Sequence, residues 1–512
     1  MKVQSKVCTT FLIGVFLSGC TSMHRNQTSG FNEAYKKGNY EIAMQSMEFD
    51  KGEDGEVDTE SQLLEILHQA EMYRLSGNFE TANKYYDLAE NGMKYLDMES
   101  LAEKSGESFM SVMVNDSVMD YEAMMSEAVM VNTYKGLSFL AQGNSDFARV
   151  EFNRADDRTR RAIKYFEAKI AEQKEELSES AKEAESNGDE QASDADKAYF
   201  TQQSLQSEAL QSTVAENYGG SSQWSAYPEF MVPTSTYIHG LFFLANGESG
   251  SDYSKARTSL KRVSEMLPES EQLARDAELA ERVASGSVSV DELEPQVWVV
   301  FENGLGPALK EKRFDIPLIL LHGSQGAPAY TGIALPEYQK RAAIGGNLIV
   351  TSEDNPQGVT TEQIGSMGRV FQTEMQARFP AILTRAVSSA VVKALIQNAA
   401  SEEFGIIGQL GSAALTAVTT KADLRGWQAL PDHWQSVRLD RPQDGQLELS
   451  HTDGTPIGSI SVPEQPFTLV YVKRPTEQAQ ATVMTIDLQG KQQGDVAHIP
   501  KALESIDIAV SQ

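Results

Sequence analysis

Cysteine is nearly missing from this chain: its 512 residues contain only Cys8 and Cys20, both within the first twenty positions. A disulfide framework for the body of the protein is therefore excluded, and so is a thiolate-bound zinc. Histidine is as sparse, at positions 24, 68, 239, 322, 433, 451 and 498, none within five of another. No common metal-ligating spacing results. Nor is there a glycine-rich phosphate loop ending in Lys-Ser/Thr, or a Gly-x-Ser-x-Gly elbow to hold a nucleophile. Positive charge is short too: 44 Lys and Arg against 73 Asp and Glu give a formal charge of −29. Nucleic acids and anionic lipid surfaces are held by clustered cations, so both are excluded. We expect no cofactor, no metal and no nucleic-acid partner.

What is present begins with an address. Lys2 and Lys6 make a basic start, residues 7–17 an uncharged apolar run, and Leu17-Ser18-Gly19-Cys20 sets small residues before a cysteine. The run is too short to span about 30 Å of hydrocarbon permanently. It resembles a bacterial lipoprotein signal, so residues 1–19 are expected to be removed and Cys20 to carry lipid. Several acyl chains hold firmly, at about 0.8 kcal/mol per buried CH₂. Thr21 follows, with no Asp to resemble an inner-membrane retention signal. The expected location is the outer membrane, facing the periplasm, with residues 20–30 as a tether and the lipid as the only membrane contact.

Residues 31–285 read as helical. Gly38-Asn39 leads to Ala43, Gly77-Asn78 to Ala82, Gly143-Asn144 to Ala148, and Asn246-Gly247 to Ala256. The segment Gly-Leu-x-Phe-Leu-Ala occurs at 136–141 and again at 240–245. These pieces resemble tetratricopeptide repeats, degenerate and interrupted, with turns at Gly38, Gly77, Gly143 and Gly247. Such a solenoid offers a concave surface to peptides or helices, so the expected partners are other envelope proteins bound there. An acidic insertion at about 162–220 holds ten acids and two lysines between Glu172 and Asp196. It reads as a protruding, solvated helical hairpin.

After Ser285-Gly286-Ser287 the pattern changes, and residues 290–512 read as an α+β domain ending in strands at about 434–490. Buried strands are expected at 297–301 and 317–321, weaker ones at 331–334 and 347–351, and a helix from Gln363 to about 398. Residues 404–420 are seventeen without charge, read as a buried helix rather than a span. The terminal strands, with a hairpin at Asp453-Gly454, form a small sandwich or extend the preceding sheet. His322-Gly323-Ser324-Gln325-Gly326 is like an oxyanion loop but, without a nucleophile elbow, reads as a turn. Asp423 and Arg425 read as an ion pair. With Trp427 and Pro431 they are expected to form a seam fixing the terminal strands to the α/β layer, while the helical half folds by itself.

Three stretches carry a family resemblance: Phe301-Glu302-Asn303-Gly304-Leu305-Gly306-Pro307, Ala334-Leu335-Pro336-Glu337-Tyr338, and residues 422–431, Ala-Asp-Leu-Arg-Gly-Trp-Gln-Ala-Leu-Pro. They are similar to stretches in an uncharacterised family of Gram-negative lipoproteins with a tetratricopeptide-like front and an α/β rear. The resemblance departs at Gly426, where the family pattern has Ser. Such proteins are encoded near lipoprotein activators of penicillin-binding proteins. That implies an envelope role and supplies no catalytic residue. The expected function is a lipid-anchored scaffold without catalysis; the alternative is an envelope hydrolase with dispersed carboxylates centred near Glu302.

Overall fold

The computed structural model describes residues 28–52, 55–96, 120–186, 194–219, 222–320, 329–419 and 421–500. Cys20, the turn at 322–326 and the tip of the acidic insertion at 187–193 lie outside these. Helices come first. A helix at 28–35 (α1) is followed by α2 (Tyr40–Ser46), α3 (Leu63–Leu75), α4 (Phe79–Gly92), α5 (Met125–Ala141) and α6 (Ser145–Ser186). Then come α7 (Asp194–Gln206), α8 (Glu208–Tyr218), α9 (Pro233–Ala245), α10 (Gly250–Met266) and α11 (Glu271–Ala284). A 53-residue helix, α12 (Met367–Thr419), lies much later in the chain. No helix among the described residues is long and apolar enough to cross a membrane.

The Gly-Asn pairs are turn devices with a definite mechanism. At Gly38, Gly77 and Gly143 the backbone is left-handed, with φ of +69°, +79° and +72°. Each glycine N–H reaches the carbonyl three residues back, and the following Asn N–H reaches five back, closing the first helix as a Schellman motif. The Asn side chain then accepts an N–H from the next helix: Asn39 from Ile42, Asn78 from Thr81, Asn144 from Phe147. One dipeptide thus ends a helix and starts another. Gly247 works differently. Its missing Cβ leaves room for the Tyr253 ring, which a methyl there would meet at 2.3 Å.

Strands form three sheets. Six make the main one, in the order β12 (Asp495–Ile499), β11 (Ala481–Asp487), β10 (Phe467–Arg474), β1 (Gln296–Asn303), β7 (His433–Asp440) and β6 (Glu362–Ser366). β1 and β10 run parallel, the other pairs antiparallel. A second sheet of four has the order β5 (Val359–Thr360), β4 (Leu348–Thr351), β8 (Gln446–His451) and β9 (Pro456–Ser461). β2 (Ala308–Leu318) and β3 (Ala329–Gln339) form a separate hairpin.

The central strand sets the layering. β1 is buried on both faces, and its side chains alternate between two cores. Val297, Val299 and Phe301 join Leu348, Val350, Leu447 and Leu449 of the second sheet. Trp298 and Val300 join the helices, in a core running from Phe31 to Leu488. The result is three layers: helices, six-stranded sheet, four-stranded sheet. α5 and α9 are apolar and buried almost all round, because partner helices cover one side and the sheet the other.

Several expectations change at this point. The terminal strands form no sandwich of their own: β7, β10 and β11 extend the sheet of β1, while β8 and β9 pair with β4. The parts before and after residue 290 share one core, so the helices do not stand alone. The face that the helices turn inward, where a partner was expected, is filled by the chain's own sheet. Residues 362–366 are strand β6, and the helix starts at Met367, since Gln363-Ile364-Gly365 pairs along β7. Of the apolar run 317–321 only Pro317 and Leu318 belong to a strand, as the end of β2, and Leu321 lies outside the described residues; the charged stretch of β2 is held by ion pairs such as Lys310 Nζ to Glu337 at 2.8 Å. The acidic insertion is not simply solvated. α7, α8, β2–β3 and α12 enclose a second core with Phe200, Leu210, Ile316, Leu335 and Val391. At 1.5 Å per residue α12 is about 80 Å long, and α6, α7 and β3 pack against it; we call α7, α8, β2–β3 and α12 together the arm. The helix backbone is continuous over 404–419, and the burial of those side chains lies outside the described residues.

Close packing explains the repeated glycine of the Gly-Leu-x-Phe-Leu-Ala segments. A Cβ on Gly136 would stand 2.6 Å from the Phe152 ring, and one on Gly240 would stand 2.6 Å from Leu260. Gly136→Ala gains about 1 kcal/mol of helix propensity but forces a fully buried ring to shift, an overpacking cost of about 1–3 kcal/mol. We expect a net loss of stability, read as a lower urea midpoint. A raised midpoint would show that α5 and α6 are not in this contact.

Candidate functional site

Charged side chains gather in several places, Lys135 with Asp87, Glu90 and Glu151 among them, and two of these places bear on the expected sites. The first lies between the helices and the sheet, and contains Glu302. Its carboxylate is fully buried, accepts from Tyr134 Oη of α5, and lies 3.2 Å from Lys473 Nζ and 3.5 Å from Arg74 Nη2. Glu71 of α3 completes the set, at 2.7 Å from Arg74 and 2.8 Å from Lys473, and takes a hydrogen bond from Tyr86. The Arg74 guanidinium rests 4.1 Å from the Tyr134 ring centroid. Two acids and two bases balance within one buried cage. Burial opposes ionisation of Glu71, but Arg74 and Lys473 outweigh it and hold its carboxyl down at about 2. Each of the cage's four charged side chains is at most 1% exposed. Its geometry is that of a structural ion network.

The seam residues thread through the same region. The Trp427 ring meets the Tyr86 and Tyr134 rings edge-on at 6.4 and 5.8 Å. The backbone N–H of Trp427 donates to Glu127 at 2.9 Å, and that of Gln428 to His68 Nε2 at 3.0 Å. The Ala429 carbonyl accepts from Tyr35 and Lys473. Trp427 therefore fixes the helices to the sheet, not the terminal strands to an α/β layer. Pro431 follows, where Gly306 lets two chain segments touch: a Cβ there would meet the Leu430 and Pro431 carbonyl oxygens at 2.7 and 2.9 Å. Asp423 and Arg425 pair at 2.7 Å, at the rim of the second charged place.

That second place is a cleft of about 100 Å³ at the root of the arm, between α12, the β2–β3 hairpin and residues 120–124 and 423–425. Leu309, Met375 and Ile382 line its apolar side; Arg378, Arg385 and Arg425 bring positive charge, and Asp120, Glu122 and Asp423 negative. Glu122 lies 2.9 Å from Lys169 of α6 and 3.9 Å from Arg378. Lys169 first, then Arg385 and Arg378, hold its carboxyl well below the usual range against burial. Lys169 is itself pushed down, by burial and by both arginines, although Glu122 opposes this. The Nε of Arg385 is buried with no hydrogen-bond partner among the described residues.

Two of the three stretches that carry the family resemblance reach this cleft, and the first adjoins the end of the third. Pro336 and Tyr338 line the cleft, as do Asp423 and Arg425, and Asp432 just beyond the third stretch is bonded to the Asn303 carbonyl. Sequence reasoning did not single out Lys169, Arg378 or Arg385. The available signal was the seven-residue spacing of the two arginines, which sets them on one helix face. Among the described residues no group of three or more His, Cys, Asp or Glu is placed to hold a metal ion. Compared with known proteins, the chain matches no family model, no curated protein and no solved structure.

Proposed function

We propose that the protein is a lipid-anchored, periplasm-facing scaffold of the bacterial outer membrane that binds another envelope protein and performs no catalysis. Its helical hairpins are read as degenerate tetratricopeptide-like units whose inner surface has been taken over by the chain's own sheet. Partner binding then moves to the root of the arm. The observation that carries this reading is the open cleft, where apolar and charged side chains meet at the junction of body and arm. Glu302, on which an enzyme reading would centre, is enclosed in ion pairs instead.

Two measurements test the proposal. Cys20→Ala should abolish acyl labelling and release the protein from membranes; unchanged fractionation, with no acyl mass on the wild-type N-terminal peptide, overturns the anchor. A photo-crosslinking residue at Leu424, which is 39% exposed beside the cleft, should give one discrete envelope-protein adduct. The same residue at Lys261 on α10 should give none. Equal labelling at both positions, or none at Leu424, overturns the scaffold.

A further inference from the structure

We propose that the cleft at the root of the arm binds a single carboxylate carried on an apolar stem, as at the C-terminus of a peptide that ends in an apolar residue. The proposal deepens the scaffold reading, and rests on it only for which envelope protein supplies that terminus.

The charge balance of the walls selects the ligand. Asp423 is taken up by Arg425 at 2.7 Å. Glu374, one turn before Arg378, caps the start of α5: it accepts from the N–H groups of Met125 and Ser126 and from Ser126 Oγ, at 2.7, 3.0 and 2.7 Å. Glu122 is engaged by Lys169. Arg378 stands 3.8 Å from Glu374 and 3.9 Å from Glu122, so it shares carboxylates that are already occupied. Arg385 adds a further cation with its Nε unsatisfied. Asp120 lines the exposed rim. Burial, together with nearby carboxylates, raises the pKa of Tyr121 and Tyr338 well above their ordinary value, so both remain neutral. With Asp120 at the rim and Glu127 held by the Tyr121 hydroxyl and the Met124 and Trp427 N–H groups, the inner wall sets Arg378, Arg385, Arg425 and Lys169 against Glu122, Glu374 and Asp423, one cation in excess. That suits a monoanion; a phosphate dianion would meet Glu122 and Asp120 with charge to spare. The planar fork of arginine fits a carboxylate. The apolar side of Leu309, Met375 and Ile382 would take a short hydrocarbon branch, and the small volume leaves room for little more.

The test uses the full chain in mild detergent, titrated by calorimetry with N-acetyl-Ala-Leu as free acid, with its C-terminal amide, with isovalerate and with inorganic phosphate. The free acid should bind saturably and the amide at least tenfold more weakly. Arg385→Gln should weaken the free acid at least tenfold while leaving Tm unchanged or higher, because its Nε has no hydrogen-bond partner and its favourable charge contact with Glu122 is opposed by repulsion from Lys169. Arg385→Lys keeps the charge without the fork and should recover only part of the loss. Isovalerate binding more tightly than the peptide supports the site and assigns it to a small free acid. Preference for phosphate, or equal binding of acid and amide, overturns the proposal. So does a fall in Tm for Arg385→Gln, which would make the arginine structural. Intact peptide binding without a Leu424 crosslink overturns the scaffold reading alone.

Discussion

Lys473→Met should cost the fold about 3–5 kcal/mol, because it removes one cation from two carboxylates that have no access to water. Lys473 stands opposite Glu302 on neighbouring strands and reaches Glu71 on α3, so its loss is felt by sheet and helices together. Removing both partners is a different experiment. Glu302→Met with Lys473→Met leaves Glu71 and Arg74 paired at 2.7 Å and the cage neutral, so most of the stability should return. Urea unfolding of the four proteins closes the cycle, and a coupling below about 0.5 kcal/mol would refute the network. The same cage sets an acid limit. Glu71 has its pKa depressed from 4.5 to about 2 on folding, so its contribution is complete above pH 4.5 and fades as pH falls toward 2. The total is on the order of 3 kcal/mol. In Lys473→Met the Glu71 carboxyl loses a cation, and the acid limb of the stability profile should move to higher pH.

Trp427→Ala should also cost about 3–5 kcal/mol, and the two parts of the chain should unfold in one transition. The ring is 3% exposed and packs on tyrosines of α4 and α5, while the backbone around it is bonded to Glu127, His68, Tyr35 and Lys473. The cavity would therefore open between helices and sheet, inside the core they share. Limited proteolysis of the variant should release no stable helical fragment ending near Ser285. Persistence of such a fragment would mean that the helices fold independently after all.

How much of this could be read beforehand varies with the range of the interaction. The Gly-Asn turns were legible because each is complete within about six residues. So were β7 to β11, whose apolar patterns are local. β6 and β12 were missed: each is five residues, β6 with a single large apolar side chain and β12 with a largely exposed edge position and no regular alternation. The filling of the inner helical face was illegible in principle, since Tyr134 and Glu302 lie 168 positions apart. A hint was present, because Glu302 and Lys473 each interrupt an otherwise apolar strand, and one buried charge calls for another. The cleft gave less. Glu122, Lys169 and Arg385 come from three separate stretches, and no spacing links them.

The turns that follow α1, α3, α5 and α9 abut the same late stretch of chain. Gly38 touches residues 479–480, Gly77 touches Val496, Gly143 touches 492–493, and Asn246 donates to the Leu488 carbonyl. The Tyr40 hydroxyl is bonded to Thr482, 442 positions further on. At about 5–20 residues per second, a ribosome makes those positions some 20–90 s after the first hairpin. Throughout that interval the earliest helices exist without the strands that cover their turns. Closure of those turns therefore waits on the end of synthesis, and the first hairpins reach their final packing only when the last strands are made.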